Sequence, residues 1–231
     1  MNAERKPALN AMELKLAAML AMLLDHIGAV LLPGVTVLRC VGRIAFPIFA
    51  FQISEGCART GNGKRYAGRL LGFAILSEVP FDLMKSGRPW APDGQNVLWT
   101  LLLGALACFW LERMRKQPSG VLLSAAAAAF LAGLGWWLRA DYGGWGVLLT
   151  VLFYLSRGEK NEKAIQAAGL TVFCLGVGGV SIQLWGVAAA GLLWLYDGTG
   201  GRAGRGARRL CYAFYPAHMM LLWLLRQLLI R

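Results

Sequence analysis

The chain contains only two histidines, His26 and His218, and both fall within long apolar stretches. An imidazole can act as a general base near neutral pH, because it accepts a proton from an attacking amine or hydroxyl. Ionisable side chains are costly inside a hydrophobic segment, so each histidine is a candidate for function. A structural hydrogen-bonding role is the alternative for either one.

A carboxylate and a guanidinium lie in adjacent apolar stretches, on either side of a Pro33-Gly34 turn. Reflecting the chain through this turn places Asp25 level with Arg43. We therefore expect an Asp25–Arg43 ion pair, which would neutralise two buried charges. Such a pair could order a site or stabilise developing charge, and purely structural pairing is the alternative.

Further polar residues recur at helical spacing. Glu78 and Asp82 are four residues apart, so they share one helix face and could perform acid–base work. Pairing of these carboxylates with interfacial arginines is the alternative. Asn96 and Thr100 repeat the spacing, and Asn96 is also suited to cap a helix.

Two more acidic residues stand at the ends of apolar stretches. Glu55 lies near the end of the second stretch and is expected to be solvated or salt-bridged. Asp141 begins an Asp141-Tyr142-Gly143 segment that is typical of a turn into the next helix.

The elements that must position these residues are hydrophobic. Hydrophobic residues form 57% of the 231 positions, whereas charged residues form 16%, below the roughly 25% of soluble domains. These values disfavour a soluble enzyme, a disordered tail and a nucleic-acid-binding module. The five cysteines form no C-x-x-C pair, so the sequence predicts neither a disulfide framework nor a metal site.

A membrane-spanning helix requires about 20 mostly apolar residues. We predict an all-α, polytopic integral membrane helical bundle of about nine transmembrane helices, with eight as the alternative because the sixth to eighth stretches are weakest. The first stretch is interpreted as a retained helix and not as a signal peptide. The nine run Leu14 to Leu32, Val37 to Cys57, Tyr66 to Leu83, Asn96 to Leu111, Val121 to Leu138, Tyr142 to Ser156, Ala164 to Leu175, Ile182 to Tyr196 and Cys211 to Ile230.

Basic residues set the predicted orientation. The net charge is +12, and most of the 24 lysines and arginines fall in alternate loops on the side of the N-terminus. Such loops face the cytoplasm, so residues 1–13 form a cytoplasmic N-terminal segment and nine spans place the C-terminus outside. We interpret residues 1–231 as one transmembrane domain in the cytoplasmic membrane.

Seven short blocks follow one another along the chain: Leu24 to Gly28, Gly42 to Phe51, Glu55-Gly56, Pro80 to Asp82, Asn96 to Thr100, Ala140 to Gly143 and Phe214 to His218. In this order they resemble the TraX family of membrane proteins. The resemblance extends from about Leu14 to Leu222, essentially the whole chain.

The named member of this family acetylates the N-terminus of conjugative pilin. The resemblance implies a membrane O- or N-acetyltransferase that uses acetyl-CoA as donor and no metal. It makes His26 the leading catalytic residue, because related membrane acyltransferases place a histidine in their first helical region. His218 would share that role or hydrogen-bond the carbonyl oxygen, and Arg43 would act with Asp25. Tyr215, in the last block, is a further polar candidate.

Acetyl-CoA would approach from the cytoplasm and bind its phosphates to basic loops. The candidates for this contact are Arg59, Lys64, Arg65, Arg208 and Arg209. The Gly- and Arg-rich loop before the last stretch could instead touch anionic lipid.

The expected partners are the lipid bilayer, the acyl-CoA donor and a pilin or other envelope acceptor, with no nucleic acid. No Ser/His/Asp series is visible, so direct transfer is preferred over a covalent enzyme intermediate. Two non-enzymatic alternatives remain open. One is a proton-coupled membrane transporter, and the other is a non-catalytic membrane scaffold.

Overall fold

A computed structural model of the chain describes residues 8–115, 117–201 and 204–229, with the backbone alone at Arg205 and at 207–209. Within these ranges the protein is built from helices and contains no β-strand. The helices are α1 (Ala11–Val30), α2 (Thr36–Gly42), α3 (Ala45–Arg59), α4 (Gly63–Ser86), α5 (Val97–Met114), α6 (Gly120–Trp137), α7 (Gly143–Ser156), α8 (Glu162–Gly178), α9 (Ala189–Leu193) and α10 (Arg205–Leu229), with a 3₁₀ helix (Ile182–Ala188) leading into α9.

The all-α class is confirmed, and each predicted apolar stretch corresponds to helix. The second stretch is divided into α2 and α3, and the eighth is the 3₁₀ helix continued by α9. Among the described residues, three helical stretches are long and apolar enough to cross a membrane: Thr36–Arg59, Val97–Met114 and Gly120–Trp137. The number of spans and the orientation stay predictions.

A capping box fixes the start of α1. The Asn10 side-chain oxygen accepts from the backbone N–H groups of Met12 (2.9 Å) and Glu13 (3.1 Å), and the Glu13 carboxylate accepts from the Asn10 N–H (2.8 Å). Reciprocal bonds of this kind satisfy N–H groups that a helix end leaves unpaired. The bonds also set the register of α1, and with it the depth of Asp25 and His26.

The break between α2 and α3 has a local cause. Pro47 has no N–H, so the carbonyl of Arg43 loses the partner that a continuous helix would provide. The turn tightens instead, and the Arg43 and Ile44 N–H groups donate to the carbonyls of Cys40 (3.2 Å) and Val41 (3.4 Å). The break brings Arg43 to the end of α2, facing α1.

The core lies between α1, α3, α5 and α7, with α10 packed against α1 and α4. Large apolar side chains such as Leu14, Ile48 and Phe153 are fully buried there. Helix α6 packs on α5 and α7 through Ala128 and Ala132, and its opposite face carries exposed apolar side chains. An exposed apolar face of this kind suits contact with lipid.

Candidate functional site

The two histidines meet across α1 and α10. His26 Nδ1 lies 2.7 Å from His218 Nε2, and the ring planes differ by 5° with centroids 5.0 Å apart. The centroids can be no farther apart than the N···N distance plus one ring radius on each side, and their separation is close to that limit. Both nitrogens therefore lie on the line between the centroids, so the rings lie edge to edge in one plane. An in-plane hydrogen bond between the imidazoles is therefore formed.

A backbone carbonyl determines which nitrogen of each ring carries a proton. His218 Nδ1 lies 2.7 Å from the carbonyl oxygen of Phe214, which can only accept, so Nδ1 of His218 is the donor. In a neutral His218 the Nε2 must then accept from Nδ1–H of His26. The Nε2 of His26 consequently keeps its lone pair and is available as a base.

The predicted Asp25–Arg43 ion pair is present, and a second arginine joins it. The Asp25 carboxylate is paired with the Arg43 guanidinium and lies 3.4 Å from Nη1 of Arg39. Arg43 also donates to the Arg39 carbonyl (3.2 Å) and to Oε1 of Gln183 (3.3 Å). These bonds hold the arginine against α1 and leave few orientations open to it.

Close packing between Asp25 and the residue before Arg43 favours glycine at position 42. A Cβ atom on Gly42 would lie 2.6 Å from Oδ1 and 2.7 Å from Cγ of Asp25. The carboxylate therefore rests on the backbone of Gly42, and a larger residue would displace it.

His26 and the ion pair line one cavity of about 330 Å³, here called the histidine cavity. Its polar walls come from six charged groups beside the imidazole of His26 and the hydroxyls of two tyrosines. The charged groups are Asp25, Arg39, Arg43, Lys85, Asp141 and Arg226, and the tyrosines are Tyr142 and Tyr215. Four cations against two carboxylates make the cavity suited to hold negative charge.

Glu78 and Asp82 accept hydrogen bonds from neutral donors, and their acid–base role stays a prediction. Glu78 accepts from the Asn96 amide (2.6 Å) and from the Trp99 indole (2.5 Å), and Asp82 accepts from the Ala91 N–H (2.9 Å). Neither forms an ion pair with an arginine in the described ranges, contrary to the alternative. The Oδ1 atom of Asp82 is buried and accepts no hydrogen bond in the described part of the protein.

Asn96 and Thr100 help to shape the site without lining the histidine cavity. Asn96 caps α5 as predicted, since its side-chain oxygen accepts from the Leu98 N–H (3.0 Å). The Thr100 hydroxyl donates to the Asp141 carbonyl, which anchors the turn that precedes α7. Tyr142 and Gly143 in this turn have φ of 64° and 49°, so the predicted turn is present.

Glu55 forms a second cluster at the other end of the bundle, here called the Glu55 cluster. Its carboxylate is paired with Arg59 and with Arg157, whose Nε is 2.5 Å away. Arg59 also donates to the Tyr196 hydroxyl (2.8 Å). The predicted salt-bridged role of Glu55 thus matches its contacts.

The proposed phosphate contacts lie at the same end as this cluster. Lys64 and Arg65 are exposed in the first turn of α4, whereas Arg59 is engaged by Glu55 and Tyr196. The side chains of Arg208 and Arg209 lie outside the described part of the chain.

No group of acidic, cysteine or histidine side chains suited to a metal ion occurs in the described ranges.

Sequence reasoning missed several residues of the histidine cavity. Arg39 is four residues before Arg43, so its position on the same helix face could have been inferred from spacing. Lys85 and Arg226 are single basic residues near the ends of predicted stretches, and no local pattern distinguishes them. Gln183 does not line the cavity but accepts from Arg43, and it lies in one of the segments whose helices were hardest to predict.

Comparison with known proteins gives concordant matches. The family model described as TraX protein matches residues 10–226. A probable fimbrial assembly protein FimC (serogroup H1) of Dichelobacter nodosus is 31% identical over 92% of this chain and 94% of its own length. Protein TraX of Escherichia coli strain K12 is 29% identical over 68% of this chain and 61% of its own length. No solved structure matches the chain.

Proposed function

This chain belongs to the TraX family, and we propose that it is an integral membrane acetyltransferase that acts in pilus or fimbrial assembly. The similarity to a probable fimbrial assembly protein, over nearly the full length of both chains, supports the biological context. The donor would be acetyl-CoA. The acceptor would be an amine or hydroxyl of a pilin or another envelope component.

The His26–His218 pair is the observation that carries this proposal. A base that is oriented by a second group, which is itself oriented by a third, is the arrangement that acid–base chemistry requires. Here the Phe214 carbonyl orients His218, and His218 orients His26. The ring of His26, which keeps a lone pair on Nε2, lines the histidine cavity.

In the proposed reaction the acceptor nitrogen or oxygen attacks the thioester carbonyl and forms a new bond to carbon. Nε2 of His26 takes the proton that the acceptor loses, while its Nδ1–H continues to donate to His218. The carbon–sulfur bond then breaks, and the thiolate of coenzyme A leaves. The imidazolium returns its proton to that thiolate, so His26 ends neutral.

The cations of the histidine cavity would support the charged stages. The thioester oxygen becomes negative when the carbonyl is attacked, and fixed positive groups in a site of low dielectric stabilise that charge. Arg43 is held by Asp25 and Gln183, so it needs no rearrangement during the reaction. Arg39, only half-buried, faces the same cavity.

Proton-coupled transport is a second candidate, because the helix break after α2 places Arg43 beside a buried carboxylate. Transporters commonly build their sites from interrupted helices. A transporter would move its solute in sealed vesicles without acetyl-CoA. An acetyltransferase would consume the thioester instead.

The test uses membranes that contain the wild-type protein, mixed with labelled acetyl-CoA and envelope proteins of the same cells. We expect His26→Ala to reduce acetylation about 10²- to 10⁴-fold, the usual contribution of a general base. Ser156→Ala removes a buried hydroxyl that does not line the histidine cavity and should leave the rate unchanged. Undiminished acetylation by a folded His26→Ala protein would contradict the proposal.

A further inference from the structure

Two more cavities adjoin the histidine cavity in series. The middle cavity, about 130 Å³, shares the lining residues Met22, Phe49, Val97 and Tyr215 with the histidine cavity. The entry cavity, about 220 Å³, shares Lys15, Gln52, Tyr66 and Tyr212 with the middle cavity. Because neighbours share lining residues, the three adjoin in a row from the Glu55 cluster to His26, here called the passage.

Both ends of this passage carry cations, but only the far end carries the imidazole of His26. The entry cavity is lined by Lys15 and by Arg59 and Glu55 of the Glu55 cluster. Lys15 has no acidic partner in the described ranges, so its ammonium is free to contact an anion. A ligand with an anionic group at one end and a reactive group at the other would therefore place the anion at Lys15 and the reactive group beside the base.

The middle cavity is narrow and mainly apolar, with a few hydrogen-bonding groups. Met19, Leu70 and Leu101 contribute apolar surface. The Gln52 amide donates to the Ala11 carbonyl (2.7 Å), but its oxygen is buried and has no donor in the described part of the protein. A buried acceptor without a donor costs about 1–3 kcal/mol, so a ligand N–H at this point would remove the penalty.

Length agrees with this chemistry. Lys15 and His26 both lie on α1, eleven residues and therefore about 16 Å apart along its axis. The arm of coenzyme A between its phosphates and its sulfur is as long as four extended residues, or roughly 14 Å. That arm contains two amide N–H groups between apolar carbon segments.

We infer that this passage is the binding site for the donor, with the coenzyme A phosphates at Lys15, the diamide arm in the middle cavity and the thioester beside His26. The inference rests on the proposed acetyltransferase function and adds to it the route and orientation of the donor. Gln52 is the residue that accepts an arm N–H. The acceptor then reaches the histidine cavity from the end that holds Lys85 and Arg226.

Cys211 offers a reporter, because its partly exposed thiol lines the middle cavity. Alkylation of Cys211 by a maleimide would be followed by peptide mass spectrometry on a Cys40→Ser protein, with and without coenzyme A. At ten times its Kd the ligand leaves about a tenth of the sites free, so we expect about tenfold slower alkylation. Adenosine 3′,5′-bisphosphate lacks the arm and should protect little.

Two variants of neighbouring residues on α1 sharpen the test. Met19→Trp fills the middle cavity and should abolish protection by coenzyme A, while Leu20→Trp is the matched control because Leu20 is exposed and lines none of the three cavities. Equal alkylation rates with and without coenzyme A in the folded wild type would overturn the inference. If His26-dependent acetylation persisted in that case, the proposed function would stand and only the route would be wrong.

Discussion

Two clusters in this protein place one carboxylate between two guanidinium groups. In the first, Asp25 pairs with Arg43 and Arg39, and in the second, Glu55 pairs with Arg59 and Arg157. The charges are the same. Only the first cluster adjoins the histidine pair. Of its two arginines, Arg39 lies on α2 and Arg43 directly follows that helix, at the break.

The difference between the clusters is one of surroundings. The Asp25 and Glu55 side chains are similarly buried, at 12% and 13% exposed, but Arg43 is 12% exposed whereas Arg59, at the end of α3, is 42% exposed. Loss of one member of a buried ion pair lowers the free energy of unfolding by several kcal/mol, whereas loss of one member of an exposed pair lowers it little. We therefore interpret the Asp25 cluster as part of a site and the Glu55 cluster as a clamp between the ends of α3 and α7.

Arg43→Ala should have the largest effect on stability. Removing one member of a buried pair leaves an uncompensated charge and costs about 3–5 kcal/mol. We expect a decrease of that size in the free energy of unfolding, measured by denaturant titration in mixed micelles. The Asp25→Ala/Arg43→Ala double variant should recover part of the loss, because no lone charge remains.

The same variants test function separately. Single neutralisation of Asp25 or Arg43 should abolish acetylation, and the exchanged pair Asp25→Arg/Arg43→Asp should restore a measurable rate if the charges alone matter. If the double variant lost as much free energy of unfolding as the two single alanine variants together, the two residues would not interact.

A glycine lies beside each cluster, and the two glycines offer a finer comparison. A Cβ on Gly42 would overlap the first atoms of the Asp25 side chain, which are attached to the α1 backbone and cannot move away. Gly42→Ala should therefore cost about 1–3 kcal/mol in the free energy of unfolding. A Cβ on Gly56 would lie 2.6 Å from the Tyr66 hydroxyl, the far end of a side chain that can move. Replacing glycine by alanine within a helix gains up to about 1 kcal/mol, so Gly56→Ala should be near neutral.

Thermal unfolding of both variants in detergent would test this ranking. A Gly42→Ala protein as stable as the wild type would mean that α2 shifts freely relative to α1. Arg43 would then not be held in place by packing.

The all-α class and the positions of the helices could be predicted because the length of an apolar stretch is a local signal. The Pro33-Gly34 turn was enough to place Asp25 beside Arg43. The break after Arg43 and the 3₁₀ helix were not predicted, since they depend on Pro47 and on packing between distant segments. The number of spans cannot be counted from helix length alone, because α7 and the segment ending in α9 are short for a bilayer.

The candidate site could be predicted only where residues are close in the chain or are unusual in type. Two histidines in apolar stretches were conspicuous, but 192 residues separate them, so their hydrogen bond required the structure. The spacing of Glu78 and Asp82 gave no indication of their hydrogen-bond partners. It placed two carboxylates on one face, and their partners were neutral donors from the next helix and its preceding loop.

Arg59→Gln should have the smallest effect and completes the comparison of the clusters. The loss of an exposed ion pair costs about 0.2–1 kcal/mol, and dissolved salt already screens such a pair. We expect the free energy of unfolding to fall by less than about 1 kcal/mol in low salt, with the difference from wild type shrinking as salt rises. The deficit of Arg43→Ala should persist at every salt concentration, because that cluster is buried. A salt-independent loss of several kcal/mol in Arg59→Gln would make the Glu55 cluster energetically equivalent to the Asp25 cluster. In that case burial would not be what separates a site from a clamp.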